Sequence, residues 1–215
     1  MTALLAFDLM STLLTDPFEQ AHEASTGLPM ARLLAIGMKP LYHSLERGEI
    51  TEAEYWRRLR ALGTEPDSRM FHRVHEAGCR WIPGMRDLVA HYAGKHRTVI
   101  ATNCPEWAES LRRRFLSGIA VEWFPSYRHG VRKPSAEYFT ELCAAAGATP
   151  DRLVLVDDKA RNVDAVRGLG GRAIAFRSAA ETAAGLANFL AGPRDAPADP
   201  PPGGTGPGDS GTELP

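Results

Sequence analysis

Residues 4–10 read LLAFDLM, an apolar run that ends in a carboxylate near the start of the chain. We interpret this run as a buried strand, so that Asp8 lies where the strand ends and a loop begins. A second apolar run at 153–156 ends in the same way, in Asp157 and Asp158. Because ligands bind beyond the carboxyl ends of strands in open α/β sheets, these acidic groups predict a metal or phosphoryl site.

Strand and helix patterns alternate around these two runs. The predicted strands are 4–8, 98–101, 119–124, 153–156 and 172–176, and the predicted helices of this part are 105–115, 135–146, 162–169 and 179–190. Such alternation favours a parallel sheet that is covered by helices on both faces. The predicted fold class is therefore α/β, with a Rossmann-like parallel sheet as its core.

The strand patterns vanish between the first strand and residue 83. Five helical segments are predicted there instead, at 18–25, 30–36, 40–47, 52–62 and 68–79. An all-helical block inserted after the first strand indicates a cap domain that covers the strand-end site. We therefore assign 1–15 and 84–191 to the core and 16–83 to the cap.

Residues 192–215 differ abruptly in composition. They are rich in proline and glycine and contain no large apolar residue before Leu214. Such a segment cannot bury enough surface to offset the entropy that ordering costs. We expect it to form a disordered tail.

The overall composition excludes several classes of protein. A net charge of −1 over 215 residues argues against a nucleic-acid-binding surface, which would show a basic excess. No stretch approaches the ~20 apolar residues that span a bilayer, so no membrane segment is expected. Three scattered cysteines are too few for a disulfide framework or a zinc cluster. A cleaved signal peptide would remove Asp8, so we expect a cytoplasmic protein.

Four segments stand in an order that resembles the haloacid dehalogenase-like (HAD) hydrolase superfamily. They are FDLMSTL at 7–13, VIATN at 99–103, KP at 133–134 and VDDKARNV at 156–163. The helical block after the first segment resembles the α-helical cap that one subclass of this superfamily inserts there. The resemblance extends over almost all of the chain up to Ala191.

The resemblance implies a nucleophile and a metal site. Asp8 would attack phosphorus and form an aspartyl phosphate, which divides one difficult step into two. Mg²⁺ would relieve the repulsion between that carboxylate and a phosphate, and it needs only a few oxygen ligands from the protein. Asp8 and Asp158 would be direct ligands, with Asp157 binding directly or through water. The backbone carbonyl of Met10 would supply a further oxygen.

The resemblance also implies a cradle for the transferred phosphoryl group. Thr102 would hold its oxygens through a hydroxyl group and Lys133 through a compact ammonium charge. Asn103 has two candidate roles, either binding the substrate or ordering the loop that contains it.

Met10 departs from the family pattern. Family phosphatases usually carry a second aspartate two residues after the nucleophile, and this residue acts as general acid and base, with an effect of ~10²–10⁴-fold. A methionine cannot transfer a proton. The chain would then be a slow phosphatase, act on substrates with good leaving groups, or take the proton from a cap residue or from the substrate itself.

Three functional hypotheses remain. The first is a Mg²⁺-dependent, phosphatase-like hydrolase with reduced or specialised activity on a small phosphorylated molecule. The second is a non-catalytic binding or regulatory protein that keeps the fold. The third is dehalogenase-like or other carbon chemistry on the same nucleophile. The pair Asp157 and Asp158 argues against a metal-free dehalogenase, because two acidic groups would lack a cation.

Overall fold

The computed structural model describes residues 3–191. Within this range the strands are Leu4–Phe7 (β1), Thr98–Thr102 (β2), Glu122–Pro125 (β3), Leu153–Asp157 (β4) and Arg172–Ala175 (β5). They form one sheet in the order β3-β2-β1-β4-β5, and every neighbouring pair is parallel. The predicted α/β class with a parallel sheet is confirmed.

Helices cover both faces of this sheet. Those outside the cap segment are Met85–Ala93 (α6), Glu109–Phe115 (α7), Ser126–His129 (α8), Ala136–Ala145 (α9), Ala160–Gly168 (α10) and Ala179–Leu190 (α11). Successive residues of a strand point to opposite faces. Accordingly, Leu4 and Ala6 of β1 join one buried cluster, which includes α9 and α10, while Leu5 and Phe7 join another, which includes α6 and α11.

Two details differ from the sequence expectations. The apolar run 119–124 predicts a strand, but β3 begins only at Glu122. Ile119 and Val121 lie in the turn before β3, and their side chains pack against the core. Helix α6 is absent from the sequence predictions. Its buried residues Met85, Leu88 and Val89 have the i, i+3, i+4 spacing of an amphipathic helix, so the pattern was present in the sequence.

The segment between β1 and α6 is helical. Its helices are Phe18–Thr26 (α1), Met30–Ala35 (α2), Met38–Glu46 (α3), Glu52–Ala61 (α4) and Ser68–Gly78 (α5). They share a buried cluster of their own, which includes Leu33, Tyr55 and Phe71. At the start of α4, the Thr51 hydroxyl accepts the Glu54 N–H at 3.2 Å. The division into a core and a cap at residues 16 and 83 stays a prediction.

Helix α3 contacts the segment that follows β3. Arg132 Nε donates to Glu46 Oε2 at 2.8 Å, and the Ser126 hydroxyl donates to the Glu46 carbonyl oxygen at 2.6 Å. Gly48 lies two residues after α3 and has a φ of 66°. A Cβ added at this position would overlap the Tyr127 carbonyl oxygen, so only glycine fits.

The predicted tail at 192–215 lies outside the described residues. Between residues 3 and 191, no helix combines the length and the apolar character that crossing a membrane requires.

The contact at Gly48 generates a prediction about stability. Gly48→Ala should lower the free energy of unfolding by more than the ~1–2 kcal/mol that a left-handed backbone costs, because the new methyl group overlaps the Tyr127 carbonyl oxygen. Gly27 is the matched control, since its φ is 68° and a methyl group added there would meet nothing within 4 Å. Urea denaturation of both variants measures the difference, and equal losses would contradict the prediction.

Candidate functional site

Three carboxylates meet at the carboxyl edge of the sheet. Strands β1 and β4 are neighbours, with Phe7 in register with Val156, so Asp8 follows β1 beside Asp157 at the end of β4. The Asp8 N–H donates to the Val156 carbonyl oxygen at 2.9 Å, which continues the ladder. One oxygen each of Asp8, Asp157 and Asp158 lies within 4.8 Å of the others. The structure thus brings together the three acids that the sequence singles out.

Lys133 connects two of these acids. Its Nζ donates to Asp8 Oδ1 and to Asp157 Oδ2, both at 2.6 Å, and the residue is only 1% exposed. Burial opposes the charge of Lys133, but the two carboxylates outweigh it and raise the pKa of the ammonium group. Lys133 is therefore held in its charged form.

Asn103 fixes the backbone of Lys133. Its side-chain Nδ2 donates to the Lys133 carbonyl oxygen at 2.9 Å, and its Oδ1 accepts the Lys133 N–H at 2.8 Å. Of the two roles considered for Asn103, this geometry favours ordering of the loop. Asn103 also lines the cavity above the site, so substrate binding stays a prediction.

Both carboxylate oxygens of Asp157 accept hydrogen bonds from the protein. Its Oδ1 accepts the backbone N–H of Lys159 at 2.9 Å and the Asn162 amide at 2.8 Å, and its Oδ2 accepts the same amide and Lys133. Asp157 thereby ties Lys133 to the start of α10. With both oxygens occupied, it is better suited to positioning than to direct coordination of a metal.

The two carboxylate oxygens of Asp158 differ in their contacts. Its Oδ2 pairs with Lys159 Nζ at 2.7 Å, whereas its Oδ1 is buried and has no hydrogen-bond partner within residues 3–191. Buried polar atoms are nearly always satisfied, so an orphaned oxygen calls for a ligand such as an ion. This oxygen, beside those of Asp8, makes the site fit a hard cation such as Mg²⁺.

The charge balance of the site favours a cation as well. Burial raises the pKa of Asp8 to about 7, the nearby charge of Lys133 lowers it, and that of Asp157 adds to the increase. A positive ion would stabilise the ionised form of Asp8, which is the form that acts as a nucleophile.

A cavity of about 420 Å³ lies above these residues, between the sheet edge and helices α1–α3. Asp8, Met10, Thr102 and Lys133 line its floor. Thr102 ends β2 on the other side of β1 and is 1% exposed. The structure therefore brings every predicted site residue to the cavity or to the residues directly beneath it.

Several further residues of the cavity were missed by the sequence analysis. They come from the loop before α1, from α3, from the turn before α7 and from the loop before α9: Asp16, His43, Glu46, Trp107 and Arg132. Each stands alone in the sequence, and only the packing of these elements brings them together. No local pattern in the sequence indicated that these residues share a cavity.

The buried ion pairs generate a prediction. Lys133→Met should lower the free energy of unfolding by ~3–5 kcal/mol in metal-free buffer, because it leaves Asp8 and Asp157 buried without their cation. The control is Lys159→Met, whose side chain is 54% exposed and which should cost less than ~1 kcal/mol. Urea denaturation with a chelator measures both variants. Equal losses would show that Lys133 does not hold the site together.

The chain is similar to a curated protein and to solved structures. No protein-family model matches the chain. A curated relative, Flavin mononucleotide hydrolase 1 from Arabidopsis thaliana, described as chloroplastic, is 28% identical over 188 residues, which cover 86% of this chain and 77% of the relative.

Two solved structures have a similar fold. A predicted HAD-like family hydrolase from Porphyromonas gingivalis is 20% identical, with a TM-score of 0.72 over 88% of this chain and 98% of that protein. A HAD family enzyme from Bacteroides thetaiotaomicron, in complex with magnesium and inorganic phosphate, is 17% identical, with a TM-score of 0.65 over 83% and 96%. The chain therefore has the fold of these HAD-like proteins, and its four motifs stand in the order that resembles this superfamily.

Proposed function

We propose that the protein is a Mg²⁺-dependent phosphatase that works through an aspartyl phosphate on Asp8. The observation that carries this proposal is the buried contact of Lys133 with Asp8 and Asp157, beside the unpartnered oxygen of Asp158. Together they provide a nucleophile, a fixed positive charge and an open metal ligand on the floor of one cavity.

Asp8 and Asp158 would hold the metal ion directly, together with the backbone carbonyl of Met10. Asp157 would act through water or through Lys133, since its own oxygens are occupied. When bound, Mg²⁺ supplies the positive charge that lets a carboxylate approach a phosphate dianion.

The protein residues would carry out the transfer. An Asp8 carboxylate oxygen attacks phosphorus, the bond to the leaving oxygen breaks, and the phosphoryl group is held on Asp8. Lys133 and the Thr102 hydroxyl stabilise the phosphoryl oxygens as negative charge shifts between them. Asn103 keeps Lys133 in position through its backbone. Water then releases inorganic phosphate and restores the Asp8 carboxylate.

The cavity favours a substrate with a flat apolar part. Its upper wall contains apolar and aromatic side chains from α1–α3 and from the turn before α7: Phe18, Met30, Leu34, Tyr42 and Trp107. Aromatic side chains bind flat rings by stacking. Since the Arabidopsis relative is named as a flavin mononucleotide hydrolase, we propose flavin mononucleotide (FMN) as the first substrate to test.

Met10 favours a second candidate, a non-catalytic protein that binds phosphate. This role would keep the same metal and phosphate ligands without turnover. The dehalogenase-like alternative is weaker, because Asp158 would then keep a buried oxygen without a partner.

The nucleophile generates the first functional prediction. Asp8→Asn should lower hydrolysis of FMN and of 4-nitrophenyl phosphate by at least ~10³-fold, because an amide cannot form the aspartyl phosphate. Phosphate release measured with Mg²⁺, and again with a chelator, tests the nucleophile and the metal. Activity that survives Asp8→Asn would contradict the mechanism. A wild-type protein that binds phosphate but hydrolyses neither ester would favour the non-catalytic role.

The aromatic wall generates a prediction about specificity. Trp107→Ala should raise the KM for FMN about tenfold through lost stacking, while the KM for acetyl phosphate, which has no ring, should change little. Trp107→Phe is the matched control, because it retains a flat ring. An equal rise in the KM for both substrates would show that Trp107 maintains the shape of the cavity and does not stack on the ring of FMN.

A further inference from the structure

Met10 leaves the proposed reaction without its usual proton donor. The phosphate of FMN is an ester of a primary alcohol, and such an alcohol is a poor leaving group unless its oxygen is protonated as the bond to phosphorus breaks. A donor supplied by the protein would have to lie in the same cavity as Asp8. The acidic residues that line this cavity are Asp8, Asp16, Glu19, Glu46 and Asp158.

Three of these acids are already paired with a basic side chain. Asp8 is the nucleophile and is bonded to Lys133. Asp158 is paired with Lys159 and has its other oxygen beside the metal site. Glu46 is 6% exposed and accepts from Arg132 at 2.8 Å, which fixes it in the contact between α3 and the loop before α9.

The two histidines of the cavity are poor donors. Burial lowers the pKa of His43 to about 4, with Arg132 adding to the effect, and burial likewise lowers the pKa of His75 to about 4. Both rings are therefore neutral at physiological pH and hold no additional proton to give.

Asp16 is the acid whose surroundings fit the task. It lies in the loop that runs from β1 to α1, the same loop that begins with Asp8 and contains Met10. Its Oδ1 accepts the Phe18 N–H at 3.0 Å, and no hydrogen bond to its Oδ2 is found across residues 3–191. Asp16 remains exposed and lines the cavity, with the charges of Asp158 and Lys159 acting on it.

We propose that Asp16 replaces the missing acid and base, an inference that rests on the proposed phosphatase activity. As Asp8 attacks phosphorus, Asp16 donates its carboxyl proton to the leaving oxygen, so that the alcohol departs neutral and Asp16 becomes a carboxylate. In the second step, Asp16 takes a proton from the attacking water. The bond between Asp8 and phosphorus then breaks, giving inorganic phosphate and protonated Asp16.

The electrostatics of the loop support this assignment. Partial desolvation of the carboxyl group raises the pKa of Asp16 from its ordinary value, with the Phe18 N–H and Lys159 opposing the increase and Asp158 adding to it. A raised pKa favours the protonated form of the carboxyl group, which is the form that a general acid needs.

The test is the dependence of kcat/KM on the leaving group. Wild type and Asp16→Asn are compared on FMN, phenyl phosphate and 4-nitrophenyl phosphate with saturating Mg²⁺. Asp16→Asn should lose ~10²–10⁴-fold on FMN, less on phenyl phosphate and least on 4-nitrophenyl phosphate, whose leaving group needs no proton. The asparagine still accepts the Phe18 N–H, so the start of α1 is preserved, and an unchanged Tm would confirm this.

Glu19→Gln is the matched control, because Glu19 lines the same cavity and lies in the first turn of α1. It should change none of the three values. Equal losses of Asp16→Asn on all substrates, no loss on FMN, or the graded loss in Glu19→Gln instead would overturn the role of Asp16. If the wild type hydrolyses no ester with Mg²⁺, the proposed function itself fails, and this inference with it.

Discussion

The ammonium group of Lys133 lies between Asp8 and Asp157, and the rest of the site depends on this contact. Its two hydrogen bonds of 2.6 Å join the end of β1 to the end of β4 through the loop before α9. Burying three charged groups is costly unless each is paired and hydrogen-bonded. Asn162 helps to meet this condition, since it donates to the Asp157 carboxylate, and Asn103 holds the Lys133 backbone in position.

The same contact explains why the site needs a further cation. Lys133 and the more exposed Lys159 face three adjacent carboxylates, and Asp158 retains a buried oxygen without a partner in the described part of the chain. A metal ion with oxygen ligands would satisfy both requirements. The protein therefore supplies one buried positive charge, that of Lys133, and a bound cation would add another, which suits the transfer of a doubly negative group.

The cavity above this site joins two parts of the chain with different roles. The sheet edge holds the groups that are proposed to act on a phosphoryl group, whereas helices α1–α3 supply an apolar and aromatic wall. Asp16 lies in the loop that leads from the first part to the second. A methionine at position 10 is compatible with catalysis if the proton comes from this loop, because the roles proposed for Asp8, Lys133 and the metal ion do not require the Met10 side chain.

The sequence by itself determined the class of fold and the acidic edge of the sheet. Apolar runs and helical periodicity are local patterns, so β1, β4 and their terminal aspartates could be found without coordinates. Only the tertiary structure decided the roles of individual groups. Asn103 contacts Lys133, which lies 30 residues away in the sequence, and Lys133 contacts Asp8, which lies 125 residues away. Asp16 is a candidate acid because it lines the same cavity as Asp8. Such contacts depend on how distant elements pack, and no local pattern in the sequence records them.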